Sequence, residues 1–298
     1  RRLIAGIRPD LIRAHGSWHT GSLAVHAGRA LDIPAVVSIH SDRDSQRRHE
    51  SSLLLQMVRP LERHSMTNAA VVLSVSNYLH GYAARHGAKR VYTVYNKVYC
   101  NQFVPKVDHS AGGPLHVLSV MRLDRPKLPE CLIKAIAPLD AQLTIIGQGA
   151  LEPALHRLVD RLGLERRFRL IRQVPNDEIA AHYPVADVFA MATHHEGFCI
   201  PVLEAMAAGL PVVASATGPI PEVLGGTGWL VDKEPQAFTH ALAALAADGE
   251  LRQRMGAAGR ARALAVDGAI MERREARLYE ALMEDRRDDL AVMLDAGG

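Results

Sequence analysis

The chain has 298 residues, of which 48% are hydrophobic and 22% charged, a composition far from disordered, collagen-like or disulfide-framework chains. Its 35 basic and 32 acidic residues leave a net charge of only +3, which argues against the dense basic surface of a nucleic-acid binder. This length exceeds what one hydrophobic core usually serves, so two compact domains are expected.

Cys100, Cys131 and Cys199 lie far apart with no C-x-x-C pair, which fits a reducing cytosol and speaks against structural zinc. No apolar run approaches the roughly 18 residues of a membrane span, and residues 1–10 lack the apolar core of a signal peptide. A cytoplasmic protein is expected, at most at the inner membrane surface.

Short apolar stretches alternate with helical ones from Asp10 onward, the pattern of parallel sheets covered by helices, so the fold class is α/β. In the first part, strands are predicted at 10–14, 35–39, 70–74 and 90–94, with an amphipathic helical segment over 45–67. That amounts to half of a doubly wound domain. Pro105, Gly112, Gly113 and Pro114 stop the periodicity across 103–114. The boundary is set there: 1–105 form one domain, 106–270 a second, and 271–298 a C-terminal helix and tail.

The second domain is expected to be complete. Its strands are predicted at 115–121, 142–146, 168–171, 185–191 and 211–214, with a helix capped by Asn176 and another over 202–208 ended by Gly209. The chain from Glu250 is helical by composition, and 288–298 should fray.

The segment His194-His195-Glu196-Gly197-Phe198-Cys199-Ile200-Pro201-Val202-Leu203-Glu204 runs from a strand end through a glycine turn into a helix. Ligands of open α/β sheets sit at the carboxyl ends of strands, and a helix opening there offers backbone N–H groups and a positive dipole end to phosphate. Gly197, Phe198, Cys199 and Ile200 are the candidates to supply those groups. Pro201 suits the first helical turn, so Glu204 projects from that turn toward the ligand, where it could grip a ribose. Glu196, ahead of the amides, would meet the sugar of a sugar nucleotide. The plain alternative is a solvated loop charge and a helix-dipole partner. A glycosidase pair is disfavoured, because the phosphate-binding turn lies between the two carboxylates.

Continued through Ala205-Met206-Ala207-Ala208-Gly209-Leu210-Pro211-Val212-Val213-Ala214, this stretch resembles the E-x7-E signature of retaining family-4 glycosyltransferases. The resemblance implies the GT-B fold, two Rossmann-like doubly wound domains facing a cleft, with the N-terminal one incomplete here. It implies Glu204 on the nucleotide ribose, Glu196 facing the donor sugar, and the following amides on sugar hydroxyls and phosphate. Arg122 and Lys127 are similar to the family's R-x4-K pair, two cations that offset the charge growing on a departing nucleoside diphosphate. Gly147 and Gly149 resemble the turn by which the backbone approaches the nucleotide. As a dinucleotide fingerprint that turn fails, because Glu152 stands where G-x-G-x-x-G requires glycine. Gly218 to Glu222 resemble a further phosphate-side turn.

By the same resemblance His40, after the predicted strand 35–39, contacts the donor sugar or the acceptor, and His15 is a weaker version. No cofactor and no metal are implied, only a nucleoside-diphosphate sugar and an acceptor hydroxyl on a glycan, lipid or small molecule. Cys199, Leu128 and Pro219 replace family glycines, and Lys97 and Tyr99 depart from an N-G-V-D segment, at roughly 1 kcal/mol for each left-handed position. The expected activity is retaining sugar transfer. A non-catalytic sugar-nucleotide-binding subunit, a truncated glycosyltransferase, and a phosphorylase or epimerase on the same fold stay open. The basic run 43–49 reads as a solvated helix start more than a lipid contact, though peripheral membrane contact stays open.

Overall fold

The computed structural model describes residues 2–7, 9–49, 56–109 and 112–284. In chain order the first elements are α1 (Arg2–Ile7), β1 (Ile12–His15), α2 (His19–Leu31), β2 (Ala35–Ile39), α3 (Arg43–His49), α4 (Arg59–Asn68), β3 (Val71–Ser74), α5 (Asn77–Arg85) and β4 (Val91–Thr93). They continue with β5 (Leu115–Val120), α6 (Pro129–Ile136), β6 (Ala141–Ile146), α7 (Glu152–Leu162), β7 (Phe168–Ile171), β8 (Val188–Met191), α8 (Ile200–Ala207), β9 (Val212–Ser215) and α9 (Ile220–Leu224). The last are β10 (Trp229–Val231), α10 (Pro235–Ala247), α11 (Gly249–Ala265) and α12 (Gly268–Met283).

Two compact units result, Arg1–Lys97 with Gly268–Gly298, and Val98–Asp267. The division falls nearer the N-terminus than residue 105, and α12 joins the first unit. Glu275 gives the reason. Its buried carboxylate accepts from Arg13 of β1 at 2.7 Å, pairs with Lys97 at 2.8 Å and accepts from Tyr279 at 2.7 Å. Burial alone would push this carboxyl up, but the hydrogen bonds from Lys97 and Tyr279 and the Arg13 charge outweigh it and hold it below its ordinary range. A group depressed on folding stabilises above its unfolded pKa, and that contribution disappears as pH falls through the lower folded value. Glu275→Gln is therefore expected to lower stability by about 2 kcal/mol at neutral pH. Urea titrations of parent and variant should converge below the ordinary carboxyl value of 4.5.

The first unit holds a parallel sheet in the order β1-β2-β3-β4. β2 and β3 are buried throughout, as the near-continuous apolar runs of strands covered on both faces demand. Ser76 starts α5 by accepting from the Leu79 N–H at 3.1 Å. The segment expected over 45–67 takes in the end of α3 and α4, with Val58 before α4 and Pro60 in its first turn; residues 50–55 lie outside the described residues.

The second unit holds six parallel strands in the order β10-β9-β8-β5-β6-β7. From β5 the chain winds outward through β6 to β7, then returns to β8 and winds the other way. Asn176 caps no helix: a short 3-10 turn, Ile179–His182, begins after Glu178. The tail 288–298 lies outside the described residues. No helix among the described residues is long and apolar enough to cross a membrane.

Candidate functional site

Neighbouring strands β5 and β8 send their following chain in opposite directions, which makes their carboxyl ends the switch point where ligands of such sheets bind. The two loops leaving them are tied together. Leu128 N–H donates to Ala192 O at 3.0 Å, His194 N–H to Pro126 O at 2.9 Å, and Lys127 faces Thr193 in an antiparallel bridge. This alignment puts the Lys127 ammonium directly on the Glu196 carboxylate. The two side chains are 14% and 10% exposed.

Below Glu196 the floor is hydrogen-bonded throughout. Thr193 N–H donates to Ser215 Oγ at 3.0 Å, and Thr217 Oγ1 donates to Thr193 O at 3.1 Å. Gly218, at φ 53°, passes so near that a Cβ would lie 3.1 Å from Glu196 O. Glu222 is half-buried on the five-residue α9 that follows.

A cavity of about 880 Å³ extends from α8 across the ends of β5, β6 and β7. Arg122, Asp124, Gly147, Gly149, Gln173 and Pro201 lie on its wall. Arg122 is exposed. The expectation gave Arg122 and Lys127 equal standing toward a diphosphate. The structure leaves Arg122 turned to open space and sets Lys127 against Glu196, because the bridged loops bring those two side chains together.

Gly147 and Gly149 have nearer partners than a nucleotide. At Gly147, with φ 149°, a Cβ would lie 1.8 Å from Met121 O, and at Gly149 2.4 Å from Leu123 O. Leu123 N–H donates to Gln148 O at 2.9 Å, and Ala150 N–H to Asp124 Oδ1 at 3.0 Å. The glycines let the loop after β6 lie flat on the loop after β5.

At the start of α8, Pro201 occupies the first turn as expected, and Cys199 is the preceding residue, with φ 75° and ψ 67°. Of the residues standing in for glycine, only Cys199 is left-handed; Leu128 has φ −120° and Pro219 φ −82°, and Lys97 is not among the positive-φ residues. Burial, then the Glu196 charge, hold the Cys199 thiol well above its ordinary pKa, so it stays protonated. The Phe198 side chain is buried, Gly197 is half-buried and Ile200 is exposed.

Glu204, half-buried, accepts from the Tyr183 hydroxyl at 2.5 Å. Burial raises its pKa in spite of that bond. Tyr183 was not foreseen; it lies in an irregular stretch before β8, fully buried, stacked on Phe189 at 6.0 Å and edge-on to Phe103 at 5.6 Å. Neither Glu196 nor Glu204 lies on the cavity wall, whereas Pro201 between them does.

In the first unit, His15 at the end of β1 and His40 after β2 stack with centroids 5.4 Å apart, Nδ1 of His15 lying 3.2 Å from Nε2 of His40. Burial first, then nearby positive charge, lower both pKa values. The pair is therefore neutral at pH 7, one ring donating to the other. Among the described residues no three His, Cys, Asp or Glu side chains group so as to hold a metal ion.

Residues 102–262 match the family described as glycosyl transferases group 1, and residues 1–97 match a glycosyl transferase 4-like domain. Over 279 residues the chain is 30% identical to a D-inositol 3-phosphate glycosyltransferase of Corynebacterium glutamicum, covering 83% of this chain and 66% of that protein. Over 260 residues it is 34% identical to a GDP-mannose-dependent alpha-(1-6)-phosphatidylinositol monomannoside mannosyltransferase of Mycolicibacterium smegmatis, covering 79% and 67%. The chain thus spans about two thirds of the length of these curated relatives. Among solved structures, sucrose-phosphate synthase of Thermosynechococcus elongatus superposes with a TM-score of 0.86 at 24% identity, over 95% of this chain and 76% of that one. HepE of Anabaena in complex with UDP-glucose gives 0.82 at 20% identity, over 94% and 81%. These likenesses show the GT-B fold.

Proposed function

The chain belongs to the glycosyl transferases group 1 family, and from that membership and the geometry of the second unit we propose a retaining transfer of sugar from a nucleoside diphosphate to an acceptor hydroxyl. The observation that carries this reading is the cavity at the switch point, with exposed Arg122 on its wall and the Lys127–Glu196 pair beside it.

In this reading the diphosphate meets Arg122 and the amides of Gly197, Phe198, Cys199 and Ile200, and draws Lys127 away from Glu196. The freed Glu196 carboxylate then accepts from the donor sugar's hydroxyls. The bond between the anomeric carbon and the phosphate oxygen breaks as the acceptor oxygen bonds to the same face. The acceptor proton passes to the departing phosphate oxygen, so no protein nucleophile is needed. Arg122 and Lys127 supply the positive charge that the leaving group requires. Glu204 holds the ribose, Gly147 and Gly149 shape the nucleotide side, and His40 is the first unit's candidate contact to sugar or acceptor. The names of the relatives favour an acceptor built on an inositol phosphate or its lipid.

Calorimetric titration with UDP-, GDP- and ADP-sugars, followed by NMR of the product anomer, tests the proposal. Failure of every donor to bind, or an inverted product, would reject it. A second reading, binding without turnover, is favoured by the left-handed Cys199 ahead of α8, and donor binding with no product would select it.

Glu204→Ala is expected to weaken donor binding by about 1.5 to 3 kcal/mol, the worth of a charge-assisted hydrogen bond. Because burial raises the carboxyl, donor affinity should begin to fall, on acidification, above the ordinary value of 4.5. Tyr183→Phe should move that loss to still higher pH, since it removes the bond that opposes burial. Unchanged affinity in Glu204→Ala would end the ribose assignment.

A further inference from the structure

Glu152, the residue that breaks the dinucleotide fingerprint, opens α7 on the wall of the switch-point cavity, and Arg172, 20 positions on, follows β7 on the same wall. The two are paired through a single oxygen. Arg172 Nε donates to Glu152 Oε1 at 2.7 Å and Arg172 Nη2 to the same atom at 2.5 Å, with His156 Nε2 at 3.8 Å. Glu152 Oε2 and Arg172 Nη1 are left without a partner among the described residues. The bonds from Arg172 hold the Glu152 carboxyl below its ordinary range, so it is ionised and only accepts, while the guanidinium only donates.

Two groups of opposite hydrogen-bonding sense, locked side by side, form an edge that can read a planar heterocycle. The amides of Gln148 and Gln173 on the same wall are exposed and can turn either end to a ligand, so they discriminate less. The pair stands where the cavity reaches β7, with apolar Ile146 and Val174 on the wall for a ring to lie against. In the reaction proposed above, on which this inference rests, diphosphate and ribose lie toward α8. The part of the nucleotide left for the β7 end is the base.

Guanine suits this edge best. Its N1–H and 2-amino group are neighbouring donors that can both reach Oε2, and O6 beside them accepts from Arg172. Uracil has one donor, N3–H, between two carbonyls, and adenine has only its amino group beside a ring nitrogen. Each gives the carboxylate one bond fewer. We propose that Glu152 and Arg172 together read the donor's base and select a guanosine-diphosphate sugar.

Calorimetric titration of the full chain with GDP, IDP, UDP and ADP tests this. IDP carries hypoxanthine, which is guanine without the 2-amino group, and so isolates one hydrogen bond. GDP is expected to bind on the order of tenfold more tightly than each of the other three, the worth of one added bond to a charged group. Glu152→Gln keeps an acceptor for Arg172 and turns an amino group to the base, so the ratio of GDP to IDP affinity should fall to about one. Arg172→Met should weaken GDP and IDP alike, roughly tenfold, because both bases carry O6. Both variants should keep the parent's thermal unfolding, since a surface ion pair contributes little to stability.

Equal affinity for GDP, UDP and ADP, or a preference for UDP or ADP, would leave a donor site in the second unit and overturn the base assignment. A preference for GDP over IDP that persists in Glu152→Gln would overturn it as well. Failure of all four nucleotides to bind would remove the donor reading along with it.

Discussion

Replacing Arg122 and Lys127 together by alanine is expected to slow sugar transfer by about a thousandfold or more at saturating donor. In the proposed reaction each supplies positive charge to the departing diphosphate, and the loss of one such group typically costs ~10²–10³ in kcat. On that reading the two serve one leaving group, so their effects should not simply multiply. Lys127 needs a control of its own. Its removal leaves Glu196, 9% exposed, without its counterion, and an unpaired carboxylate in that position destabilises the loop. The pair Lys127→Met with Glu196→Gln removes both charges at once. It should keep the stability of the parent in urea and still lose transfer. Single-turnover rates with each variant decide the matter, and a parental rate in the Arg122→Ala, Lys127→Ala variant would refute the electrostatic role.

The second large effect is on folding. Gly147→Ala is expected to cost about 3 kcal/mol or more, since the new methyl would sit 1.8 Å from Met121 O on a backbone at φ 149° that side chains rarely adopt. A backbone carbonyl cannot step aside as the end of a flexible side chain can. Gly112→Ala is the matched control, because nothing lies within 4 Å of a Cβ there. The urea midpoint should fall for the first and stay for the second at unchanged slope. Equal midpoints would mean that the loops after β5 and β6 are not clamped as described.

The strands most easily foreseen are those buried on both faces. Val36, Val37, Val71 and Val72 sit in runs that only a covered parallel strand explains. β10 escaped because its apolar run, Trp229 to Val231, is three residues long, too short to show a period, and leaves Trp229 and Leu230 exposed. The attachment of α12 also escaped, since local periodicity cannot say which sheet a helix covers. Contacts distant in sequence do that: Glu275 meets Arg13 and Lys97, and Arg13 lies over the Tyr279 ring at 5.8 Å.

At the candidate site, Glu196 and Glu204 were singled out by their place about the turn before α8, and Arg122 and Lys127 by resemblance to the family's R-x4-K pair, yet the partners these residues meet were not foreseen. Lys127 and Glu196 are 69 positions apart, and their pairing depends on a bridge between two loops. Tyr183 bonds Glu204 from 21 positions away in an aperiodic stretch. The glycines at 147 and 149 were legible as glycines, but the demand on them comes from carbonyls of a neighbouring loop, which no local pattern contains.

The placement of α12 also bears on the order in which the chain is made. The second unit is continuous from Val98 to Asp267, so all its strands have emerged before α12 is synthesised. The first unit is closed only when Gly268–Met283 follows, although its strands emerge first. Until then Arg13 and Lys97 lack the carboxylate of Glu275, and a chain cut between the units' last two helices would carry a finished second unit beside a first one that has lost its counterion.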